Sequence, residues 1–218
     1  MRALLVLLAA LAAIAFLAGC GGGDESTTSS TGASPSECTS VEPPDPRDAG
    51  KHKAPSAKLD AEKTYTLTFE TTCGSFTVTL DPTLAPKTTA SLVALARDGY
   101  YDDTLFHRVV PGFVIQGGDP TQSGSGGPGY TTVDVPPSDA AYTKGVVAMA
   151  KAPDEPPGTA GSQFFVVAGA DAGLPPEYAI VGKVTDGMDT VERIDSLGVA
   201  DGPPSEPVVV TRVTVGES

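Results

Sequence analysis

The chain has 218 residues, with 27 acidic against 14 basic side chains and a formal net charge of -13. That length accommodates one well-buried domain plus accessory segments. The excess negative charge repels a phosphate backbone and argues against nucleic acid as a partner.

Met1 and Arg2 make a minimal basic start, and residues 3–16 form an apolar run shorter than the roughly 20 residues a bilayer span requires. Leu17-Ala18-Gly19-Cys20 follows and resembles a bacterial lipobox, in which the cysteine is lipidated and becomes the first mature residue. Residues 1–19 therefore read as a lipoprotein signal peptide and Cys20 as the lipidation site. The expected location is extracytoplasmic, with a membrane as partner through an N-terminal lipid anchor. Residues 20–60 are rich in Gly, Ser, Thr and Pro and carry almost no large apolar side chain. They bury too little surface to offset their ordering entropy and are expected to form a flexible tether. With Cys20 acylated, Cys38 and Cys73 remain as an even pair, and an oxidising compartment favours a disulfide between them over two free thiols.

A single domain is expected over residues 61–218. It opens with an alternating strand at 64–70, a turn at 72–74 and a second alternating strand at 75–80, which together read as a β-hairpin. Pro86 stands where a helix begins; Thr88, Leu92, Leu95 and Ala96 share one face before Gly99 closes it. Strand-like runs follow at 106–110, 113–116, 145–150, 163–167, 179–184 and 208–214. A second helix is expected from Asp186, acting as N-cap, to about Leu197. Residues 123–129 and 153–161 are too punctuated by Gly and Pro for either element. Many short strands with two helices point to a mainly β fold, a closed antiparallel β-barrel capped at its ends.

The densest chemistry lies in Phe106-His107-Arg108-Val109-Val110-Pro111-Gly112-Phe113-Val114-Ile115-Gln116-Gly117-Gly118-Asp119-Pro120, with a second block at Gly161-Ser162-Gln163-Phe164-Phe165-Val166-Val167. One cation, apolar side chains and two amides around a Pro-Gly turn suit the grip of a proline-containing peptide. Both blocks resemble the signature of cyclophilin-type peptidyl-prolyl cis-trans isomerases, and the likeness extends from Lys63 to Thr214. The resemblance implies eight barrel strands, two capping helices and action on proline-containing polypeptides without a cofactor. It also makes Arg108, Gln116 and Gln163 the catalytic residues, with Arg108 as the cation and the two glutamines as amide clamps. Phe113, Val114, Phe165, Leu174 and Tyr178 become the proline pocket. Ala150, Lys151 and Ala152 become a backbone contact for substrate, although many relatives carry Asn where Lys151 stands. Tyr178 replaces a histidine of better-known members. Gly173 aligns with a tryptophan of members that bind cyclosporin well, so weak cyclosporin binding is expected.

The chemistry agrees with this assignment. Rotating an Xaa-Pro bond meets a barrier of roughly 18–20 kcal/mol because amide resonance is lost. No bond breaks, so no nucleophile, metal or proton relay is required. A guanidinium presents several N–H donors in a rigid fork and can favour the twisted amide. Strand alternation separates Val114 and Gln116 from Ile115, and Gln163 and Phe165 from Phe164. If Ile115 and Phe164 fill the core, the other four meet outside it. His107, beside Arg108, reads as a structural hydrogen-bonder. Two distant histidines and no acidic cluster at ligand spacing make a metal site unexpected. The rival reading is a non-catalytic proline-recognising chaperone or docking module on the envelope. Nothing in the sequence demands more than a monomer.

Overall fold

The computed structural model describes residues 37–218. The expected signal peptide, the lipidation site Cys20 and the tether as far as residue 36 lie outside the described residues.

The first hairpin follows from side-chain alternation. In β1 (Tyr65–Thr71) Tyr65, Leu67 and Phe69 are buried, and in β2 (Gly74–Leu80) Phe76, Val78 and Leu80 are buried. Antiparallel register sets Leu67 against Val78 and Phe69 against Phe76, whose rings stack with centroids 4.8 Å apart. Helix α1 (Pro86–Arg97) starts on a proline, which has no N–H to leave unpaired. Its first free donors are taken from a distance: Asp134 accepts the Lys87 and Thr88 N–H groups and the Thr88 hydroxyl. Gly99, at φ 68°, ends the helix in the left-handed conformation that glycine tolerates.

The later strands are β3 (Thr104–Leu105), β4 (Arg108–Val110), β5 (Val114–Gly117), β6 (Thr132–Val133), β7 (Val146–Met149), β8 (Thr159–Ala160), β9 (Phe164–Val167), β10 (Ile180–Asp186) and β11 (Val209–Glu217). The short strands β6 and β8 pair only with each other and were not expected; β8 lies inside a loop expected to lack structure. Helix α2 (Met188–Asp195) begins later than expected. Asp186 is the last residue of β10, and the N-cap is Gly187 at φ 73°. A side chain at Gly187 would run into the Ser75 carbonyl and Phe76, so only glycine lets the chain pass β2 there.

A closed eight-stranded barrel is not what forms. Nine strands make one antiparallel sheet in the order β3-β11-β1-β2-β10-β7-β9-β5-β4, curled into a half-barrel. Bulges at Glu70/Thr71, Ile180/Gly182 and Val184/Asp186 help to bend it. The two terminal strands are too short to build a closing ladder, with two residues in β3 and three in β4. A single bridge between Leu105 and Asp119 links β3 to the chain just beyond β5. Helix α1 packs against β11 and β6, and α2 against β2, β4 and β5. The interior holds Phe69, Phe76, Phe106, Ile115, Met149 and Phe164, all nearly inaccessible.

Residues 38–60 form no helix or strand, yet they lie against the domain rather than standing free of it. The Thr39 N–H donates to the Thr72 carbonyl at 2.7 Å, and Ala49 is buried with the main core. Cys38 and Cys73 are joined by a disulfide 35 residues apart in sequence. Cys38→Ser is expected to lower unfolding stability by about 2–4 kcal/mol, since the reduced chain regains loop freedom when unfolded. Urea midpoints of oxidised and reduced protein check this; reduction that leaves the midpoint unmoved refutes it.

Candidate functional site

Pro111-Gly112 sets the geometry of the outer wall. The Phe113 N–H donates to the Val110 carbonyl at 3.0 Å, and Gly112 has φ 68°, the pattern of a type II turn with Pro first and Gly second. Asp195, at the end of α2, accepts the Gly112 N–H at 3.0 Å. The Phe113 carbonyl accepts the Ala168 N–H at 2.9 Å. The turn is thus tied to α2 on one side and to the end of β9 on the other.

From this turn the register β4–β5–β9 sets Arg108 beside Gln116 and Gln116 beside Phe165. Ile115, Phe164 and Val166 point into the main core. Val114, Phe165 and Val167 point the opposite way and form a second apolar cluster with Tyr142 and Ala148. Phe113, Ala150, Leu174 and Tyr178 pack around this cluster and are only partly buried. The Phe165 and Tyr178 rings meet edge to face, with centroids 5.6 Å apart and planes at 83°. Tyr142 pins Tyr178 through two bonds: its hydroxyl donates to the Tyr178 carbonyl at 2.7 Å and accepts the Tyr178 N–H at 3.0 Å.

A chain of polar groups runs along the edge of this cluster. Asp201 accepts from Arg108 Nε at 2.5 Å and Nη2 at 3.2 Å, and Gln116 Oε1 accepts from Nη1 at 3.2 Å. Gln116 Nε2 donates to Gln163 Oε1 at 3.1 Å, and Gln163 Nε2 donates to the Gly126 carbonyl at 3.0 Å. Hydrogen bonding from Arg108 holds the Asp201 carboxyl below the usual carboxylate range. Asp201 arrives there because the loop after α2 covers the free edge of β4, with the Val109 N–H donating to the Gly202 carbonyl at 2.8 Å. A guanidinium has five N–H donors. Three are used by these contacts, so two have no bond to another described residue.

Beyond the glutamines lies a cavity of about 750 Å³, lined by Gln116, Gln163, residues 150–153 and the glycine-rich segment 124–131. Asp119 folds that segment. Its carboxylate accepts the N–H groups of Thr121, Gly124 and Gly126 and the Thr121 hydroxyl. Burial alone would raise its pKa, but these bonds outweigh it and the net shift is downward. The Ala150 N–H donates to the Gln163 carbonyl at 2.9 Å, and the Ala152 N–H to Glu155 at 2.7 Å. The Lys151 side chain is only 3% exposed. Its Nζ lies 3.1 Å from Glu177 and 5.6 Å from the Tyr178 ring centroid.

The structure therefore brings Arg108, Gln116 and Gln163 into one hydrogen-bonded line and gathers Phe113, Val114, Phe165, Leu174 and Tyr178 beside it. Ala150, Lys151 and Ala152 line the adjoining cavity. Gly173, at φ 61°, faces open space. His107 differs from expectation: both ring nitrogens are buried without a hydrogen-bond partner among the described residues. Burial pushes its pKa below the ordinary imidazole value. Sequence reasoning missed Asp201, Tyr142 and Asp119. Asp119 alone left a signal, since an aspartate heading a Thr/Ser/Gly run is a turn former.

Comparisons with known proteins agree on one family. The profile described as "Cyclophilin type peptidyl-prolyl cis-trans isomerase/CLD" matches residues 66–215. "Peptidyl-prolyl cis-trans isomerase-like 1" of Gibberella zeae is 38% identical over 160 residues, covering 71% of this chain and 97% of that protein. "Peptidyl-prolyl cis-trans isomerase A" of Mycobacterium tuberculosis is 38% identical over 172 residues, covering 70% of this chain and 92% of that protein. A crystal structure of a Cryptosporidium parvum cyclophilin-type isomerase superposes with a TM-score of 0.64 at 30% identity, covering 70% of this chain and 98% of that one. A second structure of that protein, in the presence of the dipeptide Ala-Pro, gives 0.63 at 31% identity.

Proposed function

The chain belongs to the cyclophilin-type peptidyl-prolyl cis-trans isomerases and is an enzyme of that class, and from this premise we propose that it turns Xaa-Pro bonds in secreted or envelope proteins and so assists their folding. A lipid on Cys20 holds it to a bacterial membrane, outside the cytoplasm. The Cys38–Cys73 disulfide supports an oxidising compartment, and the Leu17-Ala18-Gly19-Cys20 sequence supports the anchor.

The observation that carries the catalytic assignment is the Arg108 fork held by Asp201 and Gln116 beside an apolar cluster separate from the core. The pyrrolidine ring packs among Phe113, Val114, Phe165, Leu174 and Tyr178. Ring burial and backbone contacts at Ala150, Lys151 and Ala152 fix the substrate while leaving the Xaa-Pro bond free to rotate. As the amide twists, resonance is lost and the prolyl nitrogen regains a lone pair. The unused N–H donors of Arg108 stabilise that state more than the planar amide. Asp201 and Gln116 restrict the guanidinium, so little reorganisation is needed at the moment of rotation. Gln163 steadies Gln116 in turn.

Two measurements test this reading. NMR exchange spectroscopy on a short Xaa-Pro peptide is expected to show cis/trans cross-peaks with the mature chain carrying Cys20→Ser. Peptide binding without accelerated exchange overturns the catalytic assignment and leaves a proline-recognising module. Mass spectrometry of the full chain expressed in a bacterium is expected to find diacylglycerol on Cys20 as the first residue. An uncleaved or unmodified N-terminus overturns the anchor.

A further inference from the structure

The segment 38–60 precedes the region matched by the family profile, residues 66–215, yet three of its hydrogen bonds reach the loop that carries the glycine-rich wall of the substrate cavity. The Arg47 N–H donates to the Pro120 carbonyl at 3.0 Å, and Gln122 Nε2 donates to the Pro44 carbonyl at 2.7 Å. The His52 N–H donates to the Pro128 carbonyl at 2.9 Å. These bonds bracket residues 124–127, whose Gly126 carbonyl receives Gln163. The segment is itself anchored elsewhere. Arg47 Nη2 donates to the Tyr100 and Asp102 carbonyls at 2.5 and 2.8 Å, and the His52 ring meets the Tyr100 ring edge-on at 5.1 Å.

Ser123-Gly124-Ser125-Gly126-Gly127-Pro128-Gly129 is a sequence with large conformational freedom when unrestrained. Ordering such residues costs backbone entropy. From inside the domain Asp119 and Gln163 order only part of it, through Ser123, Gly124 and Gly126. The strap bonds from outside to Pro120 and Gln122, just ahead of this sequence, and to Pro128 within it. A wall ordered before substrate arrives leaves less entropy to lose on binding.

We propose that residues 38–60 act as a strap that pre-orders the glycine-rich wall and thereby sets affinity for the residues flanking the target proline, with Arg47 as its principal positioning residue. This rests on the isomerase reading of the same groove. Among the described residues the strap makes no hydrogen bond to the apolar recess that takes the proline itself. Strap damage therefore discriminates between substrates by length rather than lowering activity uniformly.

The test compares two peptides, a capped Ala-Pro core and the same core extended by three residues on each side. Arg47→Ala and, separately, Gln122→Ala are made in the mature chain carrying Cys20→Ser. Each variant is expected to weaken affinity for the extended peptide about tenfold, a loss equal to one decade in Kd. Exchange rates on the core peptide should stay within about twofold of the parent. Melting temperatures are recorded alongside. Equal losses on both peptides, or a lower melting temperature with length selectivity intact, make the strap a purely structural cover and overturn the proposal. Binding of the extended peptide is read independently by fluorescence anisotropy. Failure of the parent protein to catalyse exchange would sink the isomerase reading and still leave the strap inference decided by affinity.

Discussion

Arg108→Ala is expected to cut kcat/KM on a short Xaa-Pro peptide about 100- to 1,000-fold, the loss typical of removing one donor aimed at developing charge. Peptide affinity should change little, because the apolar recess of Phe113, Val114, Phe165, Leu174 and Tyr178 is untouched. The deficit should therefore appear in kcat. Asp201→Ala is expected to lower kcat by a smaller factor, since it frees the guanidinium that Asp201 grips through Nε and Nη2. In an Arg108→Ala background the same change should do nothing further, because Asp201 acts only through Arg108. Exchange spectroscopy on the four proteins of this cycle checks both statements. Equal loss of affinity and catalysis in Arg108→Ala would make the arginine a binding residue instead.

Phe164 and Phe165 are adjacent in sequence and are expected to fail in different ways when truncated. Phe164 is 2% exposed and contacts Phe69, Tyr101 and Phe106 in the main core. Phe164→Ala leaves a cavity among rings that cannot collapse to fill it, and is expected to cost about 3–5 kcal/mol of unfolding stability. Phe165 belongs to the smaller outer cluster, against Tyr142 and Tyr178. Phe165→Ala is expected to destabilise less, because Tyr178, Leu174 and Phe113 beside this cluster are only partly buried and can relax. It should nevertheless lower kcat/KM more than Phe164→Ala does in folded protein, by opening the recess for the proline ring. Urea unfolding paired with exchange spectroscopy separates the two. Matching stability losses with matching activity losses would mean the outer cluster is ordinary core.

Much of the domain was legible because its signals are local. The alternation in β1 and β2 and the proline start of α1 depend on neighbours a few residues away. The opposed faces of Ile115 and Gln116, or Phe164 and Phe165, follow from the same period of two. Helix α2 was placed too early because Asp186 is a good cap in isolation, whereas the close passage at β2 demands Gly187. Composition marked residues 20–60 as unable to bury themselves, which is true of the segment alone. It could not show that the folded domain supplies carbonyls at Tyr100, Asp102, Pro120 and Pro128 for residues 38–60 to join.

Sequence by itself determined the two motif blocks, the alternating faces that carry them and the cysteine pair, since each rests on residue identity and short-range geometry. Tertiary structure decided the rest. Whether the sheet closes depends on the lengths of β3 and β4 at its two edges, which no periodicity in the chain specifies. Asp201 reaches Arg108 across 93 residues because the loop after α2 pairs with the edge of β4. Tyr142 pins Tyr178 across 36 residues by the same kind of coincidence. Contacts of that separation depend on the path of the whole chain, so they become visible only once it has folded.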